Sequence, residues 1–181
     1  MRTIYIVRHC QAEGQAREAK LTESGRRQAE RLAHFFLDKN IDYIVSSPFE
    51  RAYQTIAPLA ERTGIEVVLD ERLAERVLSD VNQPDWREQL RKTFEDLDLC
   101  YAGGESSSTA MDRGIRAVTE ALNREYRNIV FVSHGNLISL LLKYFEPRIG
   151  FKEWEALSNP DVFRLTFAGE PAPTLHRVWE E

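Results

Sequence analysis

Two short segments consist almost entirely of apolar, β-favouring residues, and they constrain the fold more than any other feature of the sequence. Residues 3–7 (TIYIV) and 129–132 (IVFV) show no alternation of polar and apolar positions. Such runs are typical of strands buried on both faces of a largely parallel sheet. Residues 43–45 and 66–69 are further candidate strands.

The intervals between these strands carry apolar residues at helical spacing, which predicts helices on both faces of the sheet. The sequence Ser47-Pro48-Phe49-Glu50 predicts a helix with Ser47 as its N-cap. Residues 163–167 and 175–179 are expected to be extra edge strands. The three helical stripes are Ala29, Leu32, Ala33, Phe36 and Leu37; Phe49, Ala52, Ile56, Leu59 and Ala60; and Met111, Ile115, Val118 and Leu122.

Size and charge narrow the class of protein. A chain of 181 residues that is 43% hydrophobic fits one domain, residues 1–181. A net charge of −5 argues against a general nucleic-acid or anionic-membrane partner. The five-residue apolar run at the N-terminus is too short for a signal peptide, and no stretch approaches the roughly 20 apolar residues of a membrane span. The two cysteines, Cys10 and Cys100, indicate a reducing interior, so a cytoplasmic location is expected.

Three of the candidate strands end in residues suited to anion chemistry. Arg8-His9 follows the first strand and Ser133-His134 follows the last, while Ser46-Ser47 precedes a helix that carries Arg51 in its first turn. Ligands of such sheets bind beyond the carboxyl ends of the strands. A lone histidine is usually structural, but this combination is not expected by chance. Guanidinium groups match phosphate oxygens, and a neutral imidazole can act as a nucleophile. A second, protonated imidazole, here His134, is expected to stabilise the charge of the phosphoryl group.

The ordered set of motifs resembles the histidine phosphatase superfamily, the phosphoglycerate mutase-like group. The motifs are Arg8-His9, Ser46 to Ala52 (SSPFERA), Gly104-Glu105-Ser106 and Ser133-His134-Gly135. They span nearly the whole chain in the family's order. The resemblance implies a three-layer α/β/α sandwich with a largely parallel central sheet, which agrees with the alternation of strands and helices.

The resemblance also assigns roles to individual residues. His9 matches the phosphorylated histidine, His134 the second pocket histidine, and Glu75 the acid that protonates the leaving oxygen. Glu71 is the competitor for that last role, and the context Leu73-Ala74-Glu75 favours Glu75. The residues implied in phosphate binding are Arg8, Arg51, Gly135 and, in a weaker role, Gln15, which stands where many members carry an asparagine.

The sequence departs from the family pattern at two places. Cys10 replaces the glycine of Arg-His-Gly. It is either an oxidisable thiol at the pocket edge or a small residue that the backbone tolerates, and we favour the second interpretation. A cysteine phosphatase would need an arginine after five further residues, but position 16 is Ala16. Residues 76–80 (RVLSD) replace a segment with glycine and an aromatic, which affects the leaving-group side of the pocket.

The leading hypothesis is a phosphomonoesterase that hydrolyses a small phosphorylated metabolite through a phosphohistidine on His9, with no cofactor and no metal. A phosphoglycerate mutase shares the machinery and stays open as an alternative, because Arg76 and Arg87 offer positive charge to a substrate carboxylate. A compact phosphatase of phosphohistidine proteins is a further alternative. A non-catalytic module that binds a phosphorylated ligand is the alternative of a different class. No sequence feature favours a particular oligomeric state.

Overall fold

The computed structural model describes residues 1–180, so Glu181, the last residue of the predicted single domain, lies outside the described residues. The described chain contains one six-stranded sheet and six α-helices. The strands are β1 (Arg2–Arg8), β2 (Tyr43–Ser46), β3 (Val67–Leu69), β4 (Asn128–Ser133), β5 (Asp161–Phe167) and β6 (Thr174–Arg177). The helices are α1 (Glu23–Phe36), α2 (Glu50–Thr63), α3 (Trp86–Glu95), α4 (Ser107–Leu122), α5 (Gly135–Phe145) and α6 (Phe151–Glu155).

The strand order β3-β2-β4-β1-β5-β6 brings the first and last of the predicted buried strands together. β1 and β4 are parallel neighbours, and Arg8 pairs in register with Ser133. β2 lies parallel to β4 on its other side, where Ser46 pairs with Val132. The carboxyl ends of these three strands therefore meet at one edge. β5 runs antiparallel between β1 and β6, so the prediction that residues 163–167 form an edge strand was wrong, whereas β6 is at the edge.

Successive residues of β1 face opposite layers of the core, which explains its continuous apolar run. Ile4 and Ile6 pack with Phe131 against the α4 and α5 side, whereas Tyr5 and Val7 pack on the other side, against α1 and α2. All four β1 residues are at most 6% exposed. Burying both faces is the arrangement expected for a parallel sheet between helical layers. The three-layer α/β/α sandwich predicted from the sequence is confirmed.

Two helix boundaries differ from those that the sequence predicts. α2 begins at Glu50 with Phe49 as its N-cap and without a side-chain capping hydrogen bond, so the predicted cap at Ser47 was wrong. The Ser47 hydroxyl still accepts from the Phe49 N–H, at 3.2 Å, but it also bonds to a side chain from another strand end, described below. α1 ends at Phe36, and Leu37 is 48% exposed rather than part of the buried face.

The segment between β3 and α4 forms the wall beside the strand ends. A 3₁₀ turn at Glu71–Leu73 leads into residues 74–85, and α3 follows. Leu90 and Phe94 of α3 pack in one cluster with Leu137 and Leu140 of α5, which fixes α3 over the start of α5. Within residues 1–180, no helix is both long enough and apolar enough to cross a membrane.

Candidate active site

His9 lies directly beyond the end of β1 and is held by its backbone and by its ring. Its carbonyl accepts from the Asn159 side-chain amide at 2.9 Å, and its Nδ1 lies 2.7 Å from the Cys10 carbonyl oxygen. Because a carbonyl can only accept, Nδ1 carries the proton, and Nε2 of the neutral ring keeps its lone pair. Burial lowers the pKa of His9 to about 4, and the neighbouring Arg51 and Arg8 act in the same direction. At neutral pH the ring is therefore a neutral base with Nε2 available.

Arg51 brings a fixed positive charge to this Nε2. Its side chain is 1% exposed; Nε donates to His9 Nε2 at 3.3 Å, and Nη1 donates to the Ala16 carbonyl at 2.8 Å. Its guanidinium carbon lies 5.1 Å from the centre of the Phe49 ring. Thr55, one turn further along α2, accepts from the Cys10 N–H and donates to the Arg51 carbonyl. The first turns of α2 thereby fix both the nucleophile candidate and its neighbouring cation.

His134 lies next to His9, with a distance of 5.2 Å between ring centres. Its Nε2 is 2.8 Å from the Ser47 hydroxyl oxygen, and its ring packs against Phe49. Its Nδ1 is buried and has no hydrogen-bond partner within residues 1–180. Burial lowers the pKa of His134 well below its ordinary value, and His9, Arg51 and Arg8 act in the same direction. This environment favours neutral His134, in contrast to the protonated ring that the sequence argument expects.

A neutral His134 can still assist an anion. If the Ser47 hydroxyl donates to Nε2, the ring proton lies on Nδ1, and the buried Nδ1–H is a donor. A bound phosphate dianion adds negative charge beside the ring and raises the tendency of His134 to hold a second proton. In both protonation states Nδ1 then presents an N–H donor to the phosphate and not a lone pair, which would repel it.

Arg8 lies between the loop that precedes β5 and the start of α5. Its Nη1 donates to the carbonyls of Leu157 and Ser158, while its Nε is buried without a partner among the described residues. A Cβ atom at position 135 would lie 3.1 Å from the guanidinium, so Gly135 allows Arg8 to lie close against the helix N-terminus. The N-terminus of α5 and Arg8 both favour an anion at this place.

Glu75 reaches the same helix N-terminus from the other side. Its carboxylate accepts backbone N–H groups of Asn136 at 3.0 Å, Leu137 at 2.9 Å and Arg76 at 2.7 Å. Burial raises the pKa of the Glu75 carboxyl above its ordinary value, although these three N–H groups act in the opposite direction. Glu71, the competing candidate, is exposed and forms an ion pair with Arg17. The structure thus brings Glu75, rather than Glu71, to the pocket.

Two side chains that the sequence argument missed hold the Glu75 loop in place. Arg113 of α4 donates to the carbonyls of Arg72, Ala74 and Glu75, at 2.7, 2.8 and 3.3 Å. The Ser133 hydroxyl donates to the Leu73 carbonyl at 2.7 Å. Ser133 had a sequence signal, since it lies in the strand-end motif. Arg113 had none, because its partners in this loop are backbone atoms about 40 residues away, which no side-chain pattern reveals.

The remaining predicted residues differ in how close they lie to this centre. Gln15 is exposed and lies at the rim of a pocket of about 480 Å³ that Arg8, Glu75 and Asn136 also line. Cys10 is fully buried against Leu21 and Ala29, and burial raises the pKa of its thiol to about 12. A thiol in that environment stays protonated and unreactive, which supports the interpretation of Cys10 as a packing residue.

Two histidines, two buried or half-buried arginines and a carboxyl of raised pKa, gathered at the strand ends of a three-layer sandwich, define a class of phosphate-handling sites. The family comparison agrees: the sequence model of the histidine phosphatase superfamily (branch 1) matches residues 4–178. The chain belongs to this superfamily.

The chain is similar to named phosphatases and to a mutase-like protein. A putative phosphoserine phosphatase 2 of Hydrogenobacter thermophilus is 28% identical over 158 residues, which cover 78% of this chain and 77% of the relative. Phosphoglycerate mutase-like protein 4 of Arabidopsis thaliana is 28% identical over 182 residues, covering 90% and 79%. A solved mycobacterial glucosyl-3-phosphoglycerate phosphatase, in complex with inorganic phosphate, superposes with a TM-score of 0.78 at 29% identity, covering 99% of this chain and 97% of that one.

Proposed function

We propose that this protein is a phosphomonoesterase that hydrolyses a small phosphorylated metabolite through a phosphohistidine on His9. The observation that carries the proposal is the hydrogen bond from His9 Nδ1 to the Cys10 carbonyl, at 2.7 Å, which leaves Nε2 unprotonated beside Arg51. The names of the relatives support phosphate-ester hydrolysis as the reaction class.

In the first step the phosphate group binds between the cations and is attacked in line. Arg8, Arg51 and the Nδ1–H of His134 donate to its oxygens, and these donors stabilise the charge that spreads over the three equatorial oxygens. The lone pair of His9 Nε2 gives up the hydrogen bond from Arg51 Nε and forms a bond to phosphorus, while the bond from phosphorus to the ester oxygen breaks. The electron pair of that bond leaves with the ester oxygen.

Glu75 is the group that handles the proton. The departing alkoxide is a strong base, and protonation by a carboxylic acid makes it a neutral alcohol. The raised pKa of Glu75 favours the protonated form, and a bound phosphate dianion adds to that effect. In the second step the Glu75 carboxylate removes a proton from a water molecule, whose oxygen bonds to phosphorus as the bond to His9 Nε2 breaks. Inorganic phosphate forms, and Glu75 is again protonated.

A phosphoglycerate mutase would return the phosphoryl group to a sugar acid, and its pocket needs a free cation for the carboxylate. The two arginines that the sequence offers for this purpose are already engaged. Arg76 donates to the Glu105 carbonyl and to the hydroxyls of Thr93 and Ser107, while Arg87 pairs with Glu155. Water is therefore the better acceptor in our proposal.

The test measures both acceptors in one experiment. The enzyme is incubated with 3-phosphoglycerate and 2,3-bisphosphoglycerate, and both inorganic phosphate and 2-phosphoglycerate are followed. We expect phosphate release from phosphomonoesters without priming by the bisphosphate. Interconversion of the phosphoglycerates faster than phosphate release would make the protein a mutase. Binding of phosphate esters without release of either product would make it a non-catalytic module.

We extend the proposal to the setting of the enzyme. It comprises a single domain, acts without a metal or another cofactor, and works in the cytoplasm on a small metabolite rather than on nucleic acid or a membrane. The free thiols of Cys10 and Cys100 are consistent with a reducing compartment. Cell fractionation with an antibody against the protein tests the location.

A further inference from the structure

The pocket of about 480 Å³ beside Glu75 extends well beyond the space that a phosphate group occupies. Its phosphate end is formed by Arg8 and Glu75. Its apolar lining consists of Trp86 of α3, Trp154 of α6 and two leucines, Leu78 and Leu90. Pockets of this size hold ligands considerably larger than a three-carbon acid, and an apolar lining with few polar groups is their usual composition.

The two tryptophans form the apolar end of this pocket. Their ring centres lie 6.3 Å apart, with the ring planes at 83° to one another. Trp86 is 47% exposed, and Val81, which lines a cavity together with it, is 53% exposed. Large apolar side chains that remain exposed together usually mark a surface that contacts a ligand or partner. Here the exposed ring also faces a cavity, which points to a ligand rather than to a protein surface.

A second cavity of about 290 Å³ borders the first, with Leu78 and Trp86 lining both, and we refer to the two together as the cleft. Its other lining residues are Val81 and the polar side chains of Ser79, Asn82 and Gln83, and its charged group is the carboxylate of Asp80. A carboxylate on the substrate would meet negative charge at this end. Hydroxyl and amide groups would meet suitable partners.

Apart from Arg8 at the phosphate end, the two arginines near the cleft are committed to other contacts. Arg76 is 4% exposed; its Nε and Nη2 donate to the Glu105 carbonyl, and its Nη1 donates to two hydroxyls. Arg87 pairs with Glu155 and covers the Phe151 ring. A bound carboxylate would have to break one of these arrangements, whereas an uncharged group would not.

The wall of the cleft is fixed before any substrate arrives. The Glu105 N–H donates to the Val77 carbonyl and the Asp80 N–H donates to the Ala102 carbonyl, at 2.9 and 3.0 Å. The Ser79 hydroxyl also donates to the Ala102 carbonyl, at 2.8 Å. A preformed wall lowers the ordering cost of binding, so the shape and polarity of the cleft bear directly on substrate choice.

We infer that the alcohol part of the substrate carries an uncharged aromatic or heteroaromatic ring, which binds against Trp86 and Trp154. This inference rests on the proposed phosphatase function and names the substrate class of the same pocket. Aromatic rings gain from contact with tryptophan beyond the area that they bury. Trp86 and Trp154 are then the residues that determine specificity.

The test uses esters of primary alcohols only, so that the leaving groups are chemically matched. Values of kcat/KM are measured by phosphate release for 2-phenylethyl phosphate, 2-cyclohexylethyl phosphate, glycerol 3-phosphate, O-phosphoserine and 3-phosphoglycerate. We expect the phenylethyl ester to exceed the last three by about tenfold or more. It should exceed the cyclohexyl ester by about threefold, because a saturated ring lacks the aromatic contribution.

Substitution then tests the tryptophan directly. Trp86→Ala should lower the ratio of kcat/KM for the phenylethyl ester to that for glycerol 3-phosphate by about tenfold. Tyr144→Ala is the matched control, since Tyr144 is an aromatic residue on α5 that is 54% exposed. This substitution should leave the ratio unchanged. A folding defect in the first variant would not matter for the wild-type preference, which is measured independently.

The outcomes separate this inference from the proposed function. Release of phosphate with preference for phosphoserine or 3-phosphoglycerate would overturn the inference and leave the phosphatase proposal standing. Equal turnover of the phenyl and cyclohexyl esters would overturn the aromatic assignment. Absence of phosphate release from every ester would overturn the function and the inference together.

Discussion

Acidification should destabilise the fold through the buried His9. The ring is 7% exposed, and burial lowers its pKa from 6.5 to about 4. Below pH 6.5 the His9 ring binds a proton in the unfolded chain but stays neutral in the folded chain. The contribution of His9 to the free energy of unfolding is therefore complete above the unfolded pKa and is lost as the pH falls toward 4. At about 1.4 kcal/mol per pH unit, this window corresponds to about 3 kcal/mol.

Urea unfolding at several pH values between about 7 and about 4.5 measures this loss. His9→Asn removes the titrating ring, so its free energy of unfolding should fall less steeply with decreasing pH, by up to about 3 kcal/mol over the window. His34→Asn is the matched control, because His34 is exposed on α1, and it should retain the wild-type slope. If the wild type and His9→Asn lost stability in parallel, the burial argument for His9 would be refuted.

Three further predictions concern the chemistry. Glu75→Gln should lower the rate of hydrolysis of alkyl phosphates about 10²–10⁴-fold and that of p-nitrophenyl phosphate far less, because a phenoxide leaves without protonation. Steady-state kinetics measures the difference, with Glu71→Gln as the control. Ser47→Ala removes the hydrogen bond to His134 Nε2 and should lower kcat/KM about fivefold, with a matching loss of vanadate affinity. Unchanged inhibition by vanadate would contradict the role of Ser47 in positioning His134. EDTA should leave the rate of phosphate release unchanged and vanadate should inhibit, so a rate restored only by added magnesium would contradict the proposed pocket.

Much of the sheet was predictable because its signals are local. β1 and β4 are buried on both faces, so their apolar runs mark them with little dependence on the rest of the chain. The position of β5 was not predictable in this way. Its place between β1 and β6 depends on pairing between residues near opposite ends of the chain, and an apolar pattern does not specify its partner.

The face of α4 shows how packing overrides a simple hydrophobic stripe. The sequence argument chose the large side chains Met111, Ile115, Val118 and Leu122. Of these Val118 is buried, and the other buried residues of the helix are small. A Cβ atom at Gly114 would lie 2.6 Å from the Leu141 side chain. Close approach of two helices selects small residues, and apolar periodicity counts them as weak signals.

The candidate site was predictable at the strand ends and not at its supports. Arg8, His9 and His134 follow buried strands, and parallel strands place such residues at one edge. Ser47 was interpreted as a helix cap because its local sequence fits one. Its hydroxyl instead lies 2.8 Å from a histidine 87 residues away, a contact that depends on the whole sheet.

The central claim is that His9 carries the phosphoryl group during turnover. Glu75→Gln, in which attack by water is slowed, is incubated with p-nitrophenyl phosphate, stopped in alkali and digested with trypsin under alkaline conditions. The tryptic peptide of residues 9–17 (HCQAEGQAR) contains a single histidine, so a phosphoryl group found there by mass spectrometry reports on His9. We predict an acid-labile, base-stable phosphoryl group on this peptide and almost no turnover by His9→Ala. A phosphoryl group on the His134 peptide instead, or undiminished turnover by His9→Ala, would contradict the proposed mechanism.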